Sequence, residues 1–251
     1  LYTCEMTDIV LTTINARYVH ASLGLRYLAA QMGDLRASTY IVEFVLGQRA
    51  AEIAEQLLAL NPSLIGIGVY IWNVEESARV VAHLKQVAPE VTIVLGGPEV
   101  SYETAGQRIA EWADYVITGW GDITFPKLVR EVLAGRAPSQ KVIAGVQPPL
   151  KDIAAPYSEY TDEDIARRFI YVEASRGCPF KCEFCLSALD KTAWPFDLDL
   201  FMAELEKLYS RGARNFRFVD RTFNLKVAAS QRILEFFLER MDENLFLHFE
   251  L

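Results

Sequence analysis

Three of the four cysteines in this chain lie on one short stretch, as Cys178, Cys182 and Cys185, with the spacing C-x3-C-x2-C. Iron–sulfur clusters are held by cysteine thiolates, and three neighbouring cysteines on one loop can each bind one iron of a cubane cluster. A fourth iron would then keep an open position. The spacing therefore predicts a 4Fe-4S cluster on this loop.

Other uses of these three thiols fit the sequence less well. A structural zinc site normally takes four ligands from two pairs of cysteine or histidine residues, and no second pair follows this stretch. An odd number of cysteines on one loop, with Cys4 far away in sequence, argues against a disulfide framework. Three buried structural thiols are a further alternative, but they fit poorly with the neighbouring Arg176, Lys181 and Glu183.

The cysteine spacing, with Phe184 directly before the last cysteine, resembles the signature of the radical S-adenosylmethionine (radical SAM) superfamily. The resemblance implies that the open iron binds the amine and the carboxylate of S-adenosylmethionine and that Phe184 belongs to the cofactor site. It also implies reductive cleavage of this cofactor to a 5′-deoxyadenosyl radical, with electrons from a donor such as flavodoxin or ferredoxin. In this superfamily the cysteine loop follows the first strand of a partial (β/α)6 barrel.

The composition is that of a globular protein with room for two domains, since about half of the 251 residues are apolar. The formal charge of −8 argues against a general nucleic-acid surface, which needs a basic stripe. No apolar run approaches the roughly 20 residues that a membrane-spanning helix needs. Few cysteines and no signal-like amino terminus predict a protein of the reducing cytoplasm.

Residues 1–145 alternate short apolar runs with amphipathic stretches, which is typical of a Rossmann-like (flavodoxin-like) α/β domain with a parallel sheet. The apolar runs predict strands at 9–13, 39–45, 64–70, 91–95, 115–118 and 141–144. The amphipathic stretches predict helices at 22–32, 49–60, 74–87, 102–112 and 123–134. Open parallel sheets bind ligands outside the carboxyl ends of their strands, so the loops after these strands are the candidate site.

The candidate residues in these loops are glycines, which let a ligand approach the backbone, and side chains that can bind or cover a large flat cofactor. They are Thr13, Asn15, Tyr70, Trp72, Gly96, Gly97, Pro98, Gly119 and Gly121. A plainer interpretation stays open, in which the aromatic residues are packing and the glycines are turns. No G-x-G-x-x-G follows the first strand, which disfavours a dinucleotide site.

Three stretches of this half resemble the cobalamin-binding domain that precedes many radical SAM domains. They are residues 23–29, the turn 96–99 and the turn 119–125, where Asp122 stands in place of the Glu that is frequent in such domains. The resemblance implies cobalamin bound over this sheet. The D-x-H-x-x-G loop that brings a histidine to cobalt in mutases is missing, and His20 is interpreted as a loop-packing residue. Many radical SAM relatives also lack this loop, so its absence does not exclude cobalamin, but no residue is assigned as a cobalt ligand.

Residues 146–168 contain several prolines and an acidic run, which predict a connector with little regular structure in which Thr161 caps a helix start. Residues 169–251 are predicted to be the amino-terminal part of the radical SAM barrel. Strands are predicted at 169–173, 215–219 and 245–251, and helices at 198–210, capped by Asp197, and at 227–241. These make three βα repeats, so we expect the rest of a six-stranded barrel to lie in further residues.

The stretch 218–224 resembles the F-x-D-D-T-F-N turn of cobalamin-linked radical enzymes, except that Arg221 replaces the second acid. Asp220 is a candidate to bind the amine or the ribose of S-adenosylmethionine, or to cap the turn that follows it. Glu173 and Arg176 are expected to support the cysteine loop through an ion pair.

These resemblances together imply a cobalamin-dependent radical SAM enzyme, with methyl transfer to an unactivated carbon of a small molecule or peptide as the commonest outcome. Cyclisation or rearrangement with the same cofactors stays open, as does a corrinoid-binding module without radical chemistry. A methylthiotransferase is disfavoured, because its amino-terminal domain would carry three more cysteines. No side chain is assigned a catalytic role, and neither nucleic acid nor a membrane is expected as a partner.

Overall fold

The computed structural model describes residues 8–185 and 193–251. The chain divides into two compact units, Leu1–Pro148 and Pro149–Leu251. No helix in the described parts of either unit has the length and apolar character needed to cross a membrane.

The first unit contains a six-stranded parallel sheet in the order β2-β1-β3-β4-β5-β6. Its strands are β1 (Ile9–Asn15), β2 (Thr39–Val45), β3 (Leu64–Gly68), β4 (Thr92–Gly96), β5 (Tyr115–Thr118) and β6 (Val142–Ala144). The first five strands follow the flavodoxin-like order, in which the direction of winding changes between β1 and β3. The predicted parallel α/β fold is confirmed.

Helices cover both faces of this sheet, which explains why its strands are apolar on both sides. They are α1 (Leu23–Ala30), α2 (Ala50–Leu58), α3 (Val74–Val87), α4 (Arg108–Trp112) and α5 (Thr124–Leu133). Helices α2, α3 and α4 share one buried cluster with one face of the sheet, and α1 and α5 share a second cluster with the other face. Burial on both faces favours the continuous apolar runs seen in the sequence.

Several elements of the first unit are shorter than their predicted ranges, and for two of them the local cause is clear. Strand β3 ends at Gly68 and not at residue 70, because the backbone N–H of Tyr70 donates to the side chain of Asn73 and turns the chain away from the sheet. Helix α4 begins at Arg108, because Pro98–Val100 forms a separate 3-10 turn and Gly106 takes a positive φ of 83°.

The second unit begins with a segment that is more regular than the predicted connector. Residues Leu150–Asp152 and Tyr157–Glu159 form 3-10 turns, and α6 spans Asp162–Arg167. A capping box starts α6, in which Thr161 and Asp164 each bind the backbone N–H of the other. The predicted helix cap at Thr161 is confirmed, and the regular structure arises because these prolines and acids terminate and cap short turns.

The remainder of the second unit is built on a three-stranded parallel sheet in the order β11-β10-β7. Its elements are β7 (Ile170–Val172), β8 (Ser175–Gly177), β9 (Ala193–Pro195), α7 (Leu198–Ser210), β10 (Asn215–Phe218), α8 (Val227–Leu238) and β11 (Phe246–His248). Strands β8 and β9 form a separate antiparallel pair that the sequence did not predict. Asp197 caps α7 as predicted.

One face of this sheet packs on its helices through aromatic rings. Phe216 and Phe218 of β10 are buried, and their rings contact Phe201 of α7 and Phe237 of α8. Residues alternate between the faces of a strand, so Arg217 lies on the opposite face. A parallel sheet with helices on one face is the arrangement expected for the opening repeats of a β/α barrel.

Two tyrosines of the preceding segment bind the outer edge of β7. The hydroxyl of Tyr160 donates to the carbonyl oxygen of Tyr171 at 2.8 Å and accepts from its N–H at 3.1 Å. The hydroxyl of Tyr157 makes the same two contacts with Glu173, each at 3.2 Å. Each hydroxyl therefore satisfies a backbone donor and a backbone acceptor that would otherwise be unpaired at a sheet edge.

Candidate functional site

The carboxyl edge of the first sheet gathers the loops that the sequence singles out. Because the six strands are parallel, the ends of β1, β3, β4 and β5 lie on one edge, and all nine candidate residues belong to these strand ends or to the loops that follow them. Apolar side chains are exposed in the same loops. They are Tyr18, Ile71, Trp72, Tyr102 and Ile123, with exposed fractions between 42% and 77%. Exposed apolar surface beside backbone turns is suited to covering a large flat ligand.

Asn73 ties together the two strand ends where the sheet changes direction, and the sequence analysis missed it. Its side-chain amide is fully buried and donates to the Thr13 hydroxyl at 3.1 Å and to the Ile14 carbonyl at 3.0 Å. Its oxygen accepts from the N–H of Tyr70 at 2.8 Å. The Thr13 hydroxyl in turn donates to the carbonyl of Gly68 at 2.7 Å. The candidate residue Thr13 is therefore a buried structural link.

Tyr70 and Trp72 form a stacked aromatic pair at this edge. Their ring centroids are 4.5 Å apart with planes 8° from parallel, and the Trp72 indole N–H donates to the Ile14 carbonyl at 3.3 Å. Burial raises the pKa of the Tyr70 phenol, so it stays neutral over the physiological range. The indole of Trp72 remains 46% exposed. It thus presents an aromatic surface whose orientation is held by its neighbours.

A carboxylate that the sequence analysis did not single out supports the loop after β1. Glu43 of β2 accepts from the side-chain amide of Asn15 at 3.0 Å and from the N–H of Ser22 at 2.6 Å. It also pairs with Arg26 at 3.0 Å, and both side chains of this pair are at most 4% exposed. Asn15 donates further to the carbonyl of His20 at 2.9 Å. The sequence does carry a signal for the role of Glu43, because it is the one acidic residue in the largely apolar run that forms β2.

The glycine turns after β4 and β5 are joined through Ser101. A side chain at Gly97, which has a φ of 108°, would place a Cβ 2.4 Å from the carbonyl oxygen of Val69. The Ser101 hydroxyl donates to the Gly97 carbonyl at 2.8 Å and accepts from the N–H of Gly119 at 3.0 Å. The turn therefore requires glycine at position 97, because the backbone of Gly97 lies against the backbone of Val69.

The remaining candidates of this edge occupy turn and helix-start positions. Gly96 ends β4, and Pro98 opens the 3-10 turn that follows it. The carbonyl of Gly121 accepts from the N–H of Phe125 at 2.8 Å and so begins α5. Asp122, next to it, is buried.

In the second unit, the cysteine loop leaves β7 at its carboxyl end, as the sequence predicts. Cys178 is buried, and its sulfur lies 3.8 Å from the hydroxyl of Thr222 in the turn after β10. Cys182 and Cys185 share one turn, in which the N–H of Cys185 donates to the Cys182 carbonyl at 3.0 Å. Phe184 is 94% exposed.

The three cysteines share a loop, but their sulfurs do not converge on a position that a single metal ion could occupy. In the described parts of the chain no three His, Cys, Asp or Glu side chains are close enough to hold a single metal ion. A cubane cluster binds each thiolate to a different iron, so it does not require such a focus. The donor set of three cysteines on a turn-rich loop therefore fits a cluster, and it does not form a preassembled mononuclear site.

Asp220 holds the entrance of this loop. Its carboxylate is 2% exposed and accepts from the N–H of Ala174 at 3.0 Å and from the Ser175 hydroxyl at 2.6 Å. Burial raises the pKa of Asp220 to about 6, although both hydrogen bonds act in the opposite direction. Both oxygens thus have protein partners at the entrance of the cysteine loop, and not in the turn that follows Asp220, which is the cap that the sequence offered as the alternative to binding the amine or the ribose.

Glu173 and Arg176 form the ion pair that the sequence predicts. The Arg176 side chain donates through Nε at 3.0 Å and through Nη2 at 2.6 Å to the same oxygen of Glu173. The backbone of Glu173 is held on its other side by Tyr157. Glu173, which directly follows β7, is therefore held through both its side chain and its backbone where the chain enters the cysteine loop.

Comparison with known proteins finds similarities to both units of the chain, and a family model matches within the first unit. The B12 binding domain family matches residues 9–129. An uncharacterized methyltransferase, PH0819 of Pyrococcus horikoshii, is 27% identical over 228 residues, which cover 81% of this chain and 49% of the relative. The anaerobic magnesium-protoporphyrin IX monomethyl ester cyclase of Rubrivivax gelatinosus is 25% identical over 187 residues, or 62% of this chain and 32% of the relative.

A third relative and a solved structure extend these similarities. The cobalamin-dependent radical SAM methyltransferase TokK of Streptomyces tokunonensis is 27% identical over 178 residues, covering 59% of this chain and 25% of TokK. The structure of the radical SAM methyltransferase TsrM of Kitasatospora setae, with cobalamin and a 4Fe-4S cluster bound, matches 96% of this chain and 53% of TsrM, with a TM-score of 0.70 at 15% identity. The chain thus spans about half the length of the first of these relatives and less of the others.

Proposed function

We propose that this chain belongs to the radical SAM proteins that carry a B12-binding domain, because the B12 binding domain family matches residues 9–129 and the relatives PH0819 and TokK are methyltransferases similar over more than half of the chain. The first unit binds cobalamin at the carboxyl edge of its sheet. The second unit binds a 4Fe-4S cluster through Cys178, Cys182 and Cys185, and S-adenosylmethionine at the open iron. The complete protein transfers a methyl group to an unactivated carbon of its substrate.

This proposal rests mainly on one observation: the cysteine loop follows the carboxyl end of β7, a parallel strand. Asp220 binds the loop entrance at Ala174 and Ser175, and Thr222 contacts Cys178, so the turn after β10 contacts the loop at two points. Sites of β/α barrels gather at the carboxyl ends of their strands. A loop of three cysteines at this position is suited to present a cluster to a ligand.

The first unit supports cobalamin binding through shape and not through a cobalt ligand. The chain has three histidines, His20, His83 and His248, and only His20 lies in a loop of the carboxyl edge. The exposed indole of Trp72 supplies an aromatic surface at this edge. We therefore infer a corrinoid held by contacts to its ring and side chains.

The protein's own groups position the cofactors and exclude water. When bound, the cluster with S-adenosylmethionine supplies one-electron cleavage to an organic radical, and cobalamin supplies the methyl group. The hydrogen bonds that Ala174 and Ser175 donate to Asp220, together with the Glu173–Arg176 ion pair, hold the loop that carries the thiolates. No described side chain is required to act as an acid or base in this scheme.

A second candidate function is cyclisation or rearrangement with the same cofactors. The similarity to the Rubrivivax gelatinosus cyclase favours it, because that relative is matched over a comparable length of this chain. The two functions differ in whether the methyl group of S-adenosylmethionine is found in the product. Mass spectrometry of products formed from methyl-deuterated S-adenosylmethionine separates them.

Anaerobic reconstitution with iron, sulfide and hydroxocobalamin tests the proposed cofactors. We expect the dithionite-reduced protein to show a 4Fe-4S electron paramagnetic resonance signal that changes when S-adenosylmethionine is added. Serine at Cys178, Cys182 or Cys185 should abolish this signal, and the matched control Cys4→Ser should retain it. Zinc in place of iron, or a cluster that survives all three substitutions, would contradict the proposal.

The corrinoid is tested separately by absorbance after gel filtration. Trp72→Ala should weaken retention of hydroxocobalamin at least tenfold, because it removes the exposed aromatic surface. Trp112→Ala is the control, since this residue ends α4, whose chain leads to the amino end of β5 and away from the proposed site. A cluster without any corrinoid would remove the cobalamin claim, and a corrinoid without a cluster would reduce the protein to a corrinoid-binding module.

A further inference from the structure

The Tyr70 side chain bridges the end of β3 and the start of α1. A Cβ at Gly68, the last residue of β3, would lie 3.5 Å from Cε2 of the Tyr70 ring, and a Cβ at Gly24 in α1 would lie 3.5 Å from the Tyr70 hydroxyl. This hydroxyl forms a hydrogen bond with the side chain of Ser22, the residue that caps α1. The phenol therefore leaves the loop that carries it and is anchored on a helix from another part of the chain.

Ser22 is itself held by a buried ion pair. Its N–H donates to Glu43 at 2.6 Å, and its carbonyl oxygen accepts from Arg26 at 2.9 Å. Glu43 and Arg26 pair at 3.0 Å, and both side chains are at most 4% exposed. A buried ion pair adds little stability over apolar residues of similar size, because both charges lose their hydration. Its presence beneath these loops is therefore better explained by the orientation that it gives to Ser22.

The anchored phenol covers one face of the Trp72 indole. The two ring planes are 8° from parallel with their centroids 4.5 Å apart, and the indole N–H donates to the Ile14 carbonyl at 3.3 Å. Rotation of the indole would break both the stack and this hydrogen bond. The Trp72 side chain is nevertheless 46% exposed. Its exposed part is thus presented in one orientation before a ligand binds.

A fixed orientation of this indole favours binding of a large ligand. A mobile side chain loses rotamer freedom when a ligand covers it, and this loss weakens binding. A ring that its neighbours already hold does not lose this freedom a second time. The support of Trp72 therefore has an effect on affinity that is separate from the contacts of the indole itself.

We propose that Tyr70 is a positioning residue of the corrinoid site and that the Glu43–Arg26 ion pair acts through it by holding Ser22. This inference rests on the proposed function and deepens it, because it names the residues that set the orientation of Trp72. Tyr70, Glu43 and Arg26 influence the ligand only through the indole. Their effect is therefore visible in the protein before a corrinoid is added.

Fluorine NMR of the corrinoid-free protein tests the orientation of the indole. Protein labelled with 5-fluorotryptophan contains four labelled residues, and the signal that is lost in Trp72→Phe belongs to Trp72. Tyr70→Leu should shift and broaden this signal, because the indole loses its stacking partner and samples several orientations. Tyr40→Leu makes the same change near the amino end of β2 and is the control, which should leave the signal unchanged.

The dissociation constant of hydroxocobalamin measures the consequence for binding. Tyr70→Leu should weaken binding about tenfold, because the ligand must then order the indole. Tyr70→Phe keeps the stacked ring and loses only the hydroxyl, so its loss should be no more than about threefold. Wild-type affinity in Tyr70→Leu, or an equal loss in Tyr40→Leu, would overturn the proposal. A loss in Tyr70→Phe as large as that in Tyr70→Leu would overturn the role of the stack.

Replacing the ion pair as a whole separates orientation from stability. Glu43→Leu combined with Arg26→Met removes both charges, so the free energy of unfolding should equal or exceed that of the wild type. The Trp72 signal of this variant should still broaden, and its corrinoid binding should weaken about threefold. A lower free energy of unfolding with an unchanged Trp72 signal would make the pair a structural support and overturn its positioning role.

Failure of this inference and failure of the proposed function give different results. Wild-type protein that retains no hydroxocobalamin would contradict the proposed function and, with it, the ligand named here. Corrinoid binding that is equally strong in the wild type and in Tyr70→Leu would overturn this inference alone.

Discussion

Asp220→Asn is expected to remove a pH dependence that burial imposes on the second unit. The pKa of Asp220 is about 6 in the folded unit, against an ordinary value of 3.8. Between these two pH values the folded unit holds a proton that the unfolded chain releases. The stability gained from this proton is fully present below pH 3.8 and is lost as the pH rises through about 6. Linkage arithmetic over these two values gives about 2 kcal/mol between pH 4 and pH 7.

The measurement is the free energy of local opening, from hydrogen exchange of peptides that cover β7 and β10. This readout separates the second unit from the first. The wild type should gain about 2 kcal/mol relative to Asp220→Asn when the pH is lowered from 7 to 4. Other titrating groups cancel in the difference between the two proteins, because both contain them.

A second substitution tests the cause of the shift. The Ser175 hydroxyl donates to Asp220 and lowers its pKa, so Ser175→Ala should raise that pKa further and steepen the pH dependence. The reasoning would be refuted by a difference between wild type and Asp220→Asn that is flat from pH 4 to pH 7. A wild type that loses stability relative to the variant on acidification would show that the sign is wrong.

Three further predictions concern the backbone supports of the two units, each measured as the free energy of unfolding. Gly97→Ala should cost about 3 kcal/mol, because its Cβ meets a carbonyl oxygen at 2.4 Å, whereas Gly119→Ala, which has a positive φ but open space, should cost about 1 kcal/mol. Asn73→Ala should cost about 3 kcal/mol through the buried partners it leaves unsatisfied. Tyr157→Phe and Tyr160→Phe should each cost about 1 to 2 kcal/mol and speed exchange of the amides they bind.

Each of these predictions has an outcome that contradicts it. Equal costs at the two glycines would mean that the clash is relieved by a small shift of the loop. Asn73→Asp as stable as the wild type would show that the donated hydrogen bonds do not matter, since aspartate keeps only the acceptor. Unchanged exchange at Tyr171 and Glu173 in the two phenylalanine variants would show that the hydroxyls do not protect the strand edge.

The sequence predicted the elements whose pattern is local. The apolar runs at 39–45 and 115–118 coincide with β2 and β5, and Asp197 with the following amphipathic stretch predicted α7 over its full length. These succeeded because burial on both faces and side-chain capping are determined by residues close in sequence. The assignment of three thiols to one loop needed only their spacing.

The contacts that hold the candidate site could not be predicted in this way. Asn73 joins β1 to β3 across about sixty residues, and Glu43 binds the loop after β1 from a neighbouring strand. Such partners are set by strand order, which periodicity does not reveal. Tyr157 was missed for a related reason, because prolines and acids around it suggested a linker while its hydroxyl binds a distant strand.

The two tyrosines beside β7 also decide how the sheet of the second unit can be completed. A barrel closes into a ring only if its first strand hydrogen-bonds to its last. On β7 the groups that a closing strand would need are already bound to the hydroxyls of Tyr157 and Tyr160. A further strand could therefore pair with the free edge of β11, whereas the outer edge of β7 accepts no strand while the two phenol hydroxyls hold it.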